Sequence, residues 1–240
     1  MKKQQKLKVL ALIGARGGSQ GLYRKNIALL LGKPLIYYTI KAAKDSKYIN
    51  RIVVSTDDKE IARIATQEGA EIPFLRPKNL AGNSASAESF LKHAVEWLEK
   101  KEGYIPDIVV YLQLTDLRRK KGIIDKCVKK LIANKKMDSV FVGTPTHKKY
   151  WKSEGNKYVR VTPTEYEPRQ IARNRLFRED TGIACATRPE IIKQGKRVGD
   201  NVGIIIDYGP DVDIHDYLGL KVAEIFLVSE IVKGDSEYFY

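Results

Sequence analysis

Gly14-Ala-Arg-Gly-Gly-Ser-Gln-Gly21, with Arg24-Lys25 close behind it, is the stretch of this 240-residue sequence best suited to chemistry on an anion. Glycines let backbone N–H groups approach anionic oxygens, the Arg16 guanidinium grips two oxygens at once, and Arg24 and Lys25 add charge at the far end. The spacing also excludes two well-known phosphate loops. A Walker A loop needs Gly-Lys-Ser/Thr after its last glycine and the dinucleotide fingerprint needs Gly-x-Gly-x-x-Gly; neither is present. On pattern alone, a flexible turn with incidental basic residues stays open. The second candidate is Asp211-Val-Asp213, followed by His215 and Asp216. Carboxylates at i and i+2 of an extended backbone point to one side, which suits Mg²⁺, a hard ion that completes its shell with water and phosphate oxygens. A solvated loop or a helix N-cap fits the same residues. His215 reads as a loop histidine, since His93 and His147 stand at no metal-ligating spacing from it, and no Ser-His-Asp or Cys-His arrangement is legible.

Elements of regular structure must place these residues. Val9 to Ile13 is a near-continuous apolar run of strand length directly before the glycines, the signature of a strand buried on both faces. Leu35, Ile36, Thr39, Ile40 and Ala43 fall on one helical face, and Arg51 to Thr56 returns as a strand. Asp57 and Glu60 have capping-box spacing before Ile61, Ile64 and Ala65, and Gly69 supplies the stop. After an irregular stretch around Arg76 and Pro77, a helix over 88–100, a strand over 108–114, a helix carrying Ile123, Ile124, Cys127, Val128, Leu131 and Ile132, and a strand over 139–143 follow. Such alternation predicts an α/β fold with a mostly parallel sheet flanked by helices. From about 144 to 180 prolines and charges replace the periodicity, which reads as an arm inserted into one domain spanning 1–240. Core-like runs resume at 182–186 and 202–207, and a terminal helix is expected over 216–232.

Composition bounds the rest. Hydrophobic residues at 43% and charged residues at 30% fit a soluble globular chain and exclude collagen, coiled coil and disulfide scaffold. Forty-three Lys and Arg against twenty-nine Asp and Glu give +14, which favours phosphates, nucleic acid or acidic small molecules as partners. Nucleic-acid binding calls for aromatics interleaved with basic residues on one exposed face, a pattern these tyrosines and phenylalanines lack. A nicotinamide-dependent oxidoreductase would account for the alternation and for Asp57 after the second strand, but its glycine fingerprint is missing. Cys127 and Cys185 have no metal or disulfide pattern and read as reduced core thiols, with the cytoplasm as the default compartment. The basic 1–8 and apolar 9–15 stretches are too short for a signal peptide and read as lead-in to the first strand; no run approaches the ~18 apolar residues of a membrane span.

Ala15-Arg-Gly-Gly-Ser-Gln-Gly-Leu-Tyr-Arg-Lys-Asn26, Gly32-Lys-Pro-Leu-Ile36, Val54-Ser-Thr-Asp57, Arg76-Pro-x-x-Leu-Ala81 and Asp211-x-Asp213 occur in the order seen in acylneuraminate cytidylyltransferases, the CMP-sialic acid synthetases, which the sequence resembles over nearly its whole length. The resemblance implies a nucleotide-diphosphosugar-transferase-like fold, CTP as donor, Mg²⁺ as cofactor, an acidic nine-carbon 2-keto sugar as acceptor, and a homodimer joined by the irregular arm. It implies that Ala15, Arg16, Gly17, Gly18, Ser19 and Lys25 receive the triphosphate and that Arg76 with Ala85 lines the cytosine and ribose pocket. Gln113 then reaches the sugar, Arg169 faces its carboxylate, and Asp211 and Asp213 hold the metal, with Arg16, Lys25 and Asp211 as the catalytic set. The sequence departs from the family at three places. Gln20 replaces a usual lysine, for which Arg24 is a substitute; Gln113-Leu-Thr-Asp-Leu-Arg-Arg119 replaces Gln-Pro-Thr-Ser-Pro-Leu-Arg, setting a carboxylate and an extra arginine by the sugar; and Asp180-Thr-Gly-Ile183 replaces Asn-Gly-Ala. These changes cluster on the acceptor side and leave a related nonulosonate or a Kdo-like octulosonate open as the acceptor.

Overall fold

The computed structural model describes residues 7–19, 21–162, 168, 176–210 and 212–233. Strand β1 (Val9–Gly14) is buried throughout Val9 to Ile13, as an apolar run covered on both faces must be. A 3₁₀ turn over Lys25–Ile27 leads to a small hairpin of β2 (Leu29–Leu30) and β3 (Lys33–Pro34). Helix α1 (Leu35–Lys44), β4 (Arg51–Ser55), α2 (Lys59–Gln67), α3 (Ala87–Glu102), β5 (Ile108–Leu112), α4 (Ile123–Ala133) and β6 (Ser139–Pro145) continue the alternation. An exposed hairpin of β7 (Trp151–Glu154) and β8 (Lys157–Arg160) follows, then β9 (Phe177–Glu179), β10 (Cys185–Thr187), the short α5 (Pro189–Lys193), β11 (Val202–Ile206) and α6 (Tyr217–Val232).

Seven strands form the central sheet in the order β11-β6-β10-β5-β1-β4, with β9 paired to the far end of β6. Strand β1 is parallel to β4 and β5, and β11 is parallel to β6. Only the β9–β10 stretch runs the other way: β10 is antiparallel to both β5 and β6, and β9 is antiparallel to β6. The chain leaves β1 for β4 on one side and then crosses to β5 on the other. The carboxyl ends of β1 and β5 therefore border a crevice at a reversal of strand order, where open α/β sheets take ligands.

The strand period of two sorts side chains onto two cores. Val9, Ala11 and Ile13 with Ile108, Val110 and Leu112 pack under α1, α2 and α4, while Leu10, Leu12, Val109 and Tyr111 pack under α3 and α5. A third cluster joins Ala223 and Leu227 of α6 to Leu30, Leu35, Tyr38, Leu117, Val212 and Ile214, docking the last helix onto the first. The opposite face of α6, with Leu218, Ile225 and Val232, is exposed.

The expected elements are present, with local corrections. Asp58, not Asp57, caps α2, accepting from the N–H groups of Glu60 and Ile61 at 2.8 and 3.0 Å. Ile132 is exposed rather than inward. Cys127 and Cys185 are buried free thiols whose pKa values burial pushes up, Cys185 to about 12. Within the expected arm, β6 extends to Pro145 and the β7–β8 hairpin and β9 are described; the remainder of 163–175, apart from Pro168, lies outside the described residues. Among the described residues no helix is long and apolar enough to cross a membrane.

Candidate active site

The glycine loop leaves β1 at the carboxyl edge of the sheet. Gly14 is required by packing: a Cβ there would stand 2.6 Å from the Phe90 ring of α3. The loop is then pinned from three sides. Ala15 N–H donates to the Ser55 carbonyl at 2.9 Å, Gly17 N–H to Asp57 Oδ1 at 2.9 Å, and Asn26 Nδ2 to the Arg16 carbonyl at 2.7 Å. Asp57 thus orders the loop instead of capping α2. Arg16 Nη1 donates to the Gly82 carbonyl at 2.9 Å, which holds its guanidinium at the crevice.

The late part of the chain closes on this loop. Lys25 Nζ donates to the Ile214 carbonyl at 2.9 Å, and Gly21 lies so close to the His215 carbonyl that a Cβ would sit 2.2 Å from it. Burial pushes the Lys25 pKa down, opposed by the negative charge of Asp213. Arg76 is buried; its Nε donates to Ser55 Oγ at 3.0 Å and its guanidinium lies 4.5 Å over the Phe90 ring. Desolvation lowers its pKa to about 10, which leaves it cationic at neutral pH.

Arg16, Ser19, Lys25, Arg76, Ala85 and Gln113 all line one cavity of about 570 Å³, with His215 at its border. Ala15, Gly17 and Gly18 lie outside that lining and shape the loop: Ala15 is buried, Gly17 is tied to Asp57, and Gly18 is exposed. Arg24 is not the spare phosphate cation expected from the sequence. It adopts a left-handed conformation at φ 51° and pairs with Asp58 at 3.3 Å and Glu60 at 2.5 Å.

Gln113 is fixed by Gly182, whose carbonyl accepts its N–H at 2.9 Å, and by Thr115, whose Oγ1 accepts from Nε2 at 2.7 Å. Arg197, which no sequence motif singles out, lines the same cavity with its guanidinium 5.3 Å over the Tyr111 ring, near Glu88 at 3.6 Å and Glu179 at 3.9 Å. Its place depends on α5 turning the chain back to the sheet, a long-range event without a local signature. A second cavity of about 580 Å³ adjoins at His215 and is lined by Asp116, Arg178, Asp180, Asp213 and the start of α6.

The extra arginine and its neighbour are sunk in the protein rather than set at a cavity wall. Arg118 and Arg119 are 1% and 2% exposed. Arg118 bonds Asp180 at 2.7 Å, Thr144 Oγ1 at 3.1 Å and the Gly209 carbonyl at 3.0 Å. Arg119 donates to the carbonyls of Ile183 at 2.8 Å and Gly182 at 2.7 Å, to that of Gln113, and to Thr39 Oγ1 at 3.1 Å. Asp116 does reach the second cavity; burial pushes its pKa up to about 7, with the two arginines pulling the other way and Asp213 and Asp180 adding to the rise.

Of the sequence-derived residues, Arg169 and Asp211 lie outside the described residues. Asp213 is placed on extended backbone, paired by an isolated antiparallel bridge with Asp116. Its Oδ2 is 3.0 Å from His215 Nε2, while its Oδ1 is buried without a hydrogen-bond partner. Among the described residues no group of three or more His, Cys, Asp or Glu forms a metal cage. An orphaned carboxylate oxygen beside a cationic cavity fits instead the Mg²⁺ mode, in which one or two carboxylates share the ion with water and substrate phosphates.

A doubly covered α/β sheet with a glycine-rich loop after β1, a cavity walled by cations and a carboxylate in the cavity beside it is the arrangement of a nucleotidyltransferase-type protein. The chain belongs to the cytidylyltransferase family, whose model, "Cytidylyltransferase", matches residues 10–166. A pseudaminic acid cytidylyltransferase of Campylobacter jejuni is 36% identical over 167 residues, 68% of this chain and 71% of that one. A CMP-N,N'-diacetyllegionaminic acid synthase of Legionella pneumophila is 34% identical over 194 residues, 78% of this chain and 81% of that one. The solved structure of a CMP:2-keto-3-deoxy-manno-octonic acid synthetase complexed with CTP superposes with a TM-score of 0.70 over 93% of this chain and 99% of that one; at 15% identity the likeness is one of fold.

Proposed function

We propose that this enzyme transfers CMP from CTP to the anomeric hydroxyl of an acidic 2-keto-3-deoxy sugar of the nonulosonate type, releasing pyrophosphate. The observation that carries the reading is the closure of the Asp213–His215 segment on the glycine loop, which brings the Asp213 carboxylate of the adjoining cavity within electrostatic reach of Lys25, on the wall of the cavity that Arg16 shares. The relatives that act on pseudaminic and legionaminic acids support this class of acceptor.

In this reading Arg16, Ser19 and Lys25, with the loop formed by Ala15, Gly17 and Gly18, receive the triphosphate. Arg76 and Ala85 border the base and ribose, Gln113 meets the sugar, and Arg169 faces its carboxylate. The sugar hydroxyl attacks the α-phosphorus as the bond to the pyrophosphate oxygen breaks, and Arg16 and Lys25 stabilise the negative charge growing on the oxygens around it. Holding hydroxyl, phosphorus and leaving oxygen in line removes entropy before the reaction. Asp213 and Asp211 would hold Mg²⁺. When bound, that ion supplies a Lewis acid toward phosphoryl oxygens. The hydroxyl proton leaves for the Asp211 carboxylate or for water, two routes that stay open.

The exposed Trp151 and Tyr158 of the β7–β8 hairpin support a homodimer built through the arm, which sedimentation at micromolar concentration would test. The buried free thiols support a reducing, cytoplasmic setting. For the reaction, the full chain is supplied with CTP, Mg²⁺ and a panel of N-acetylneuraminate, pseudaminate, legionaminate and 3-deoxy-manno-octulosonate, and pyrophosphate is measured with ATP, GTP and UTP as controls. CTP-dependent release with a nine-carbon acid is expected. Release with no acid of the panel, or equal use of all four nucleotides, overturns the reading.

A further inference from the structure

Arg197 stands in the wall of the cavity that holds Arg76 and Gln113, and the nucleotide and metal assignments leave it without a task. Its backbone is fixed from behind. The Arg197 carbonyl accepts from Thr187 Oγ1 of β10 at 2.7 Å, and two residues on, Gly199 N–H donates to Ser139 Oγ of β6 at 3.0 Å. The guanidinium is spread 5.3 Å over the buried Tyr111 ring, a stacking contact that orders a long side chain before any ligand arrives. A quarter of the side chain is exposed, and it lines the cavity.

Its donors are under-served. The Nε is closed to solvent and has no hydrogen-bond partner. The Nη2 atom is 3.6 Å from Glu88 and 3.9 Å from Glu179, ion-pair distances too long for a hydrogen bond. The Tyr111 hydroxyl takes one hydrogen bond from the guanidinium, and burial pushes the Tyr111 pKa up, so the ring below is a neutral phenol that cancels no charge. A guanidinium in this state gains from an acceptor oxygen that enters the cavity. The surrounding charge says which kind. With Glu88 and Glu179 already flanking Arg197, a third carboxylate would meet repulsion, whereas a neutral carbonyl would not. Beside it, Gln113 spends its Nε2 on Thr115, while its Oε1 is met by the Tyr111 hydroxyl at 3.4 Å and keeps the capacity to accept from another donor. Arg197 and Gln113 thus set N–H donors near an acceptor oxygen, with the Tyr111 side chain between them. A secondary amide complements both at once, whereas a sugar hydroxyl puts both functions on a single oxygen.

We propose that Arg197, with Gln113, reads an acylamino substituent of the acceptor sugar, the guanidinium donating to its carbonyl and Gln113 Oε1 accepting from its N–H, an assignment that rests on the acceptor class proposed above. Arg197 is then the residue that separates acylamino acids from fully hydroxylated ones. The alternative role is a clamp that only ties α3 to β9 through Glu88 and Glu179.

Acceptor competition separates the two. The full chain and Arg197→Met, each with CTP and Mg²⁺, are assayed for kcat/KM on N-acetylneuraminate, pseudaminate and legionaminate against 3-deoxy-nonulosonate, which carries hydroxyls in place of acylamino groups. The unaltered chain is expected to favour its best acylamino acid at least about tenfold, the worth of one hydrogen bond to a charged group. Arg197→Met is expected to bring that preference below about threefold while the KM for CTP moves less than about twofold. A preference that Arg197→Met keeps, or no preference for acylamino acids in the unaltered chain, overturns the assignment and leaves the cytidylyltransferase reading standing. So does a loss confined to the KM for CTP, which would put Arg197 on the nucleotide. If the unaltered chain uses none of these acids, the proposed acceptor class falls and the assignment with it. Should Arg197→Met lose its cooperative melting transition, Arg197→Lys takes its place, keeping a charge toward Glu88 and Glu179 without the planar fork. The same narrowing of preference is expected, and an unchanged preference makes Arg197 the clamp.

Discussion

The two cavities that meet at His215 use arginine and lysine in opposite ways. On the loop side, Arg16 and Lys25 are each steadied by a backbone carbonyl, of Gly82 and of Ile214, and their charge stays directed at the cavity. On the other side, Arg118 and Arg119 are sunk in the protein and surrounded by acceptors: carbonyls, Thr39, Thr144 and Asp180. A basic residue in a motif is available to a ligand only where the surrounding chain leaves its donors unfilled. The first region presents cationic donors to a cavity; the second is an internal brace that adjoins one.

That contrast can be broken or sharpened by four substitutions. The largest effect is expected from Arg119→Ala, which orphans the carbonyls of Gln113, Gly182 and Ile183 and should lower unfolding free energy by about 3–5 kcal/mol in urea titration. A loss below about 1 kcal/mol would mean that the brace carries little. Lys25→Met is expected to reduce kcat/KM for CTP by about 10²–10³-fold with a near-unchanged melting temperature, as removal of one charge-stabilising donor does elsewhere. The reverse pattern, lost stability with full turnover, would make Lys25 a structural clamp on Ile214. Gly21→Ala forces its new methyl against the His215 carbonyl and should cost about 1–3 kcal/mol of stability by overpacking, read by thermal melting, together with slower pyrophosphate release. Arg24→Gln is expected to be mildest: its ion pairs with Asp58 and Glu60 are partly exposed, worth up to about 1 kcal/mol, and the KM for CTP should move less than twofold. A large rise in that KM would restore Arg24 to the phosphate site.

Local patterning made most of the architecture legible. The apolar run of β1, the stripe of α2 and the stop at Gly69 are short-range facts that the structure keeps, and Asp216 caps α6 as its position before the last apolar run suggests. Reversal of β10 was not legible, because three residues, Cys185-Ala-Thr187, carry no direction in their side chains; pairing with β5 and β6 decides it. The presence of Arg16 and Lys25 at one cavity was readable because glycine spacing and charge single them out, whereas Ser19 entered through the family resemblance. Arg197 was not, since only the return from α5 brings it to Tyr111. Asp58 takes the cap expected of Asp57 for a similar reason: both have the right side chain, and the demand of Gly17 N–H for an acceptor settles which one turns toward the loop.

The contacts from Gly21 and Lys25 to Ile214 and His215 join residues roughly 190 positions apart. During synthesis the ribosome must therefore deliver the chain through His215 before these contacts can assemble, whereas the glycine turn and its first partners at Ser55 and Asp57 are available far sooner. A stalled or truncated translation product ending before Ile214 should bind phosphate-bearing molecules poorly and turn none of them over.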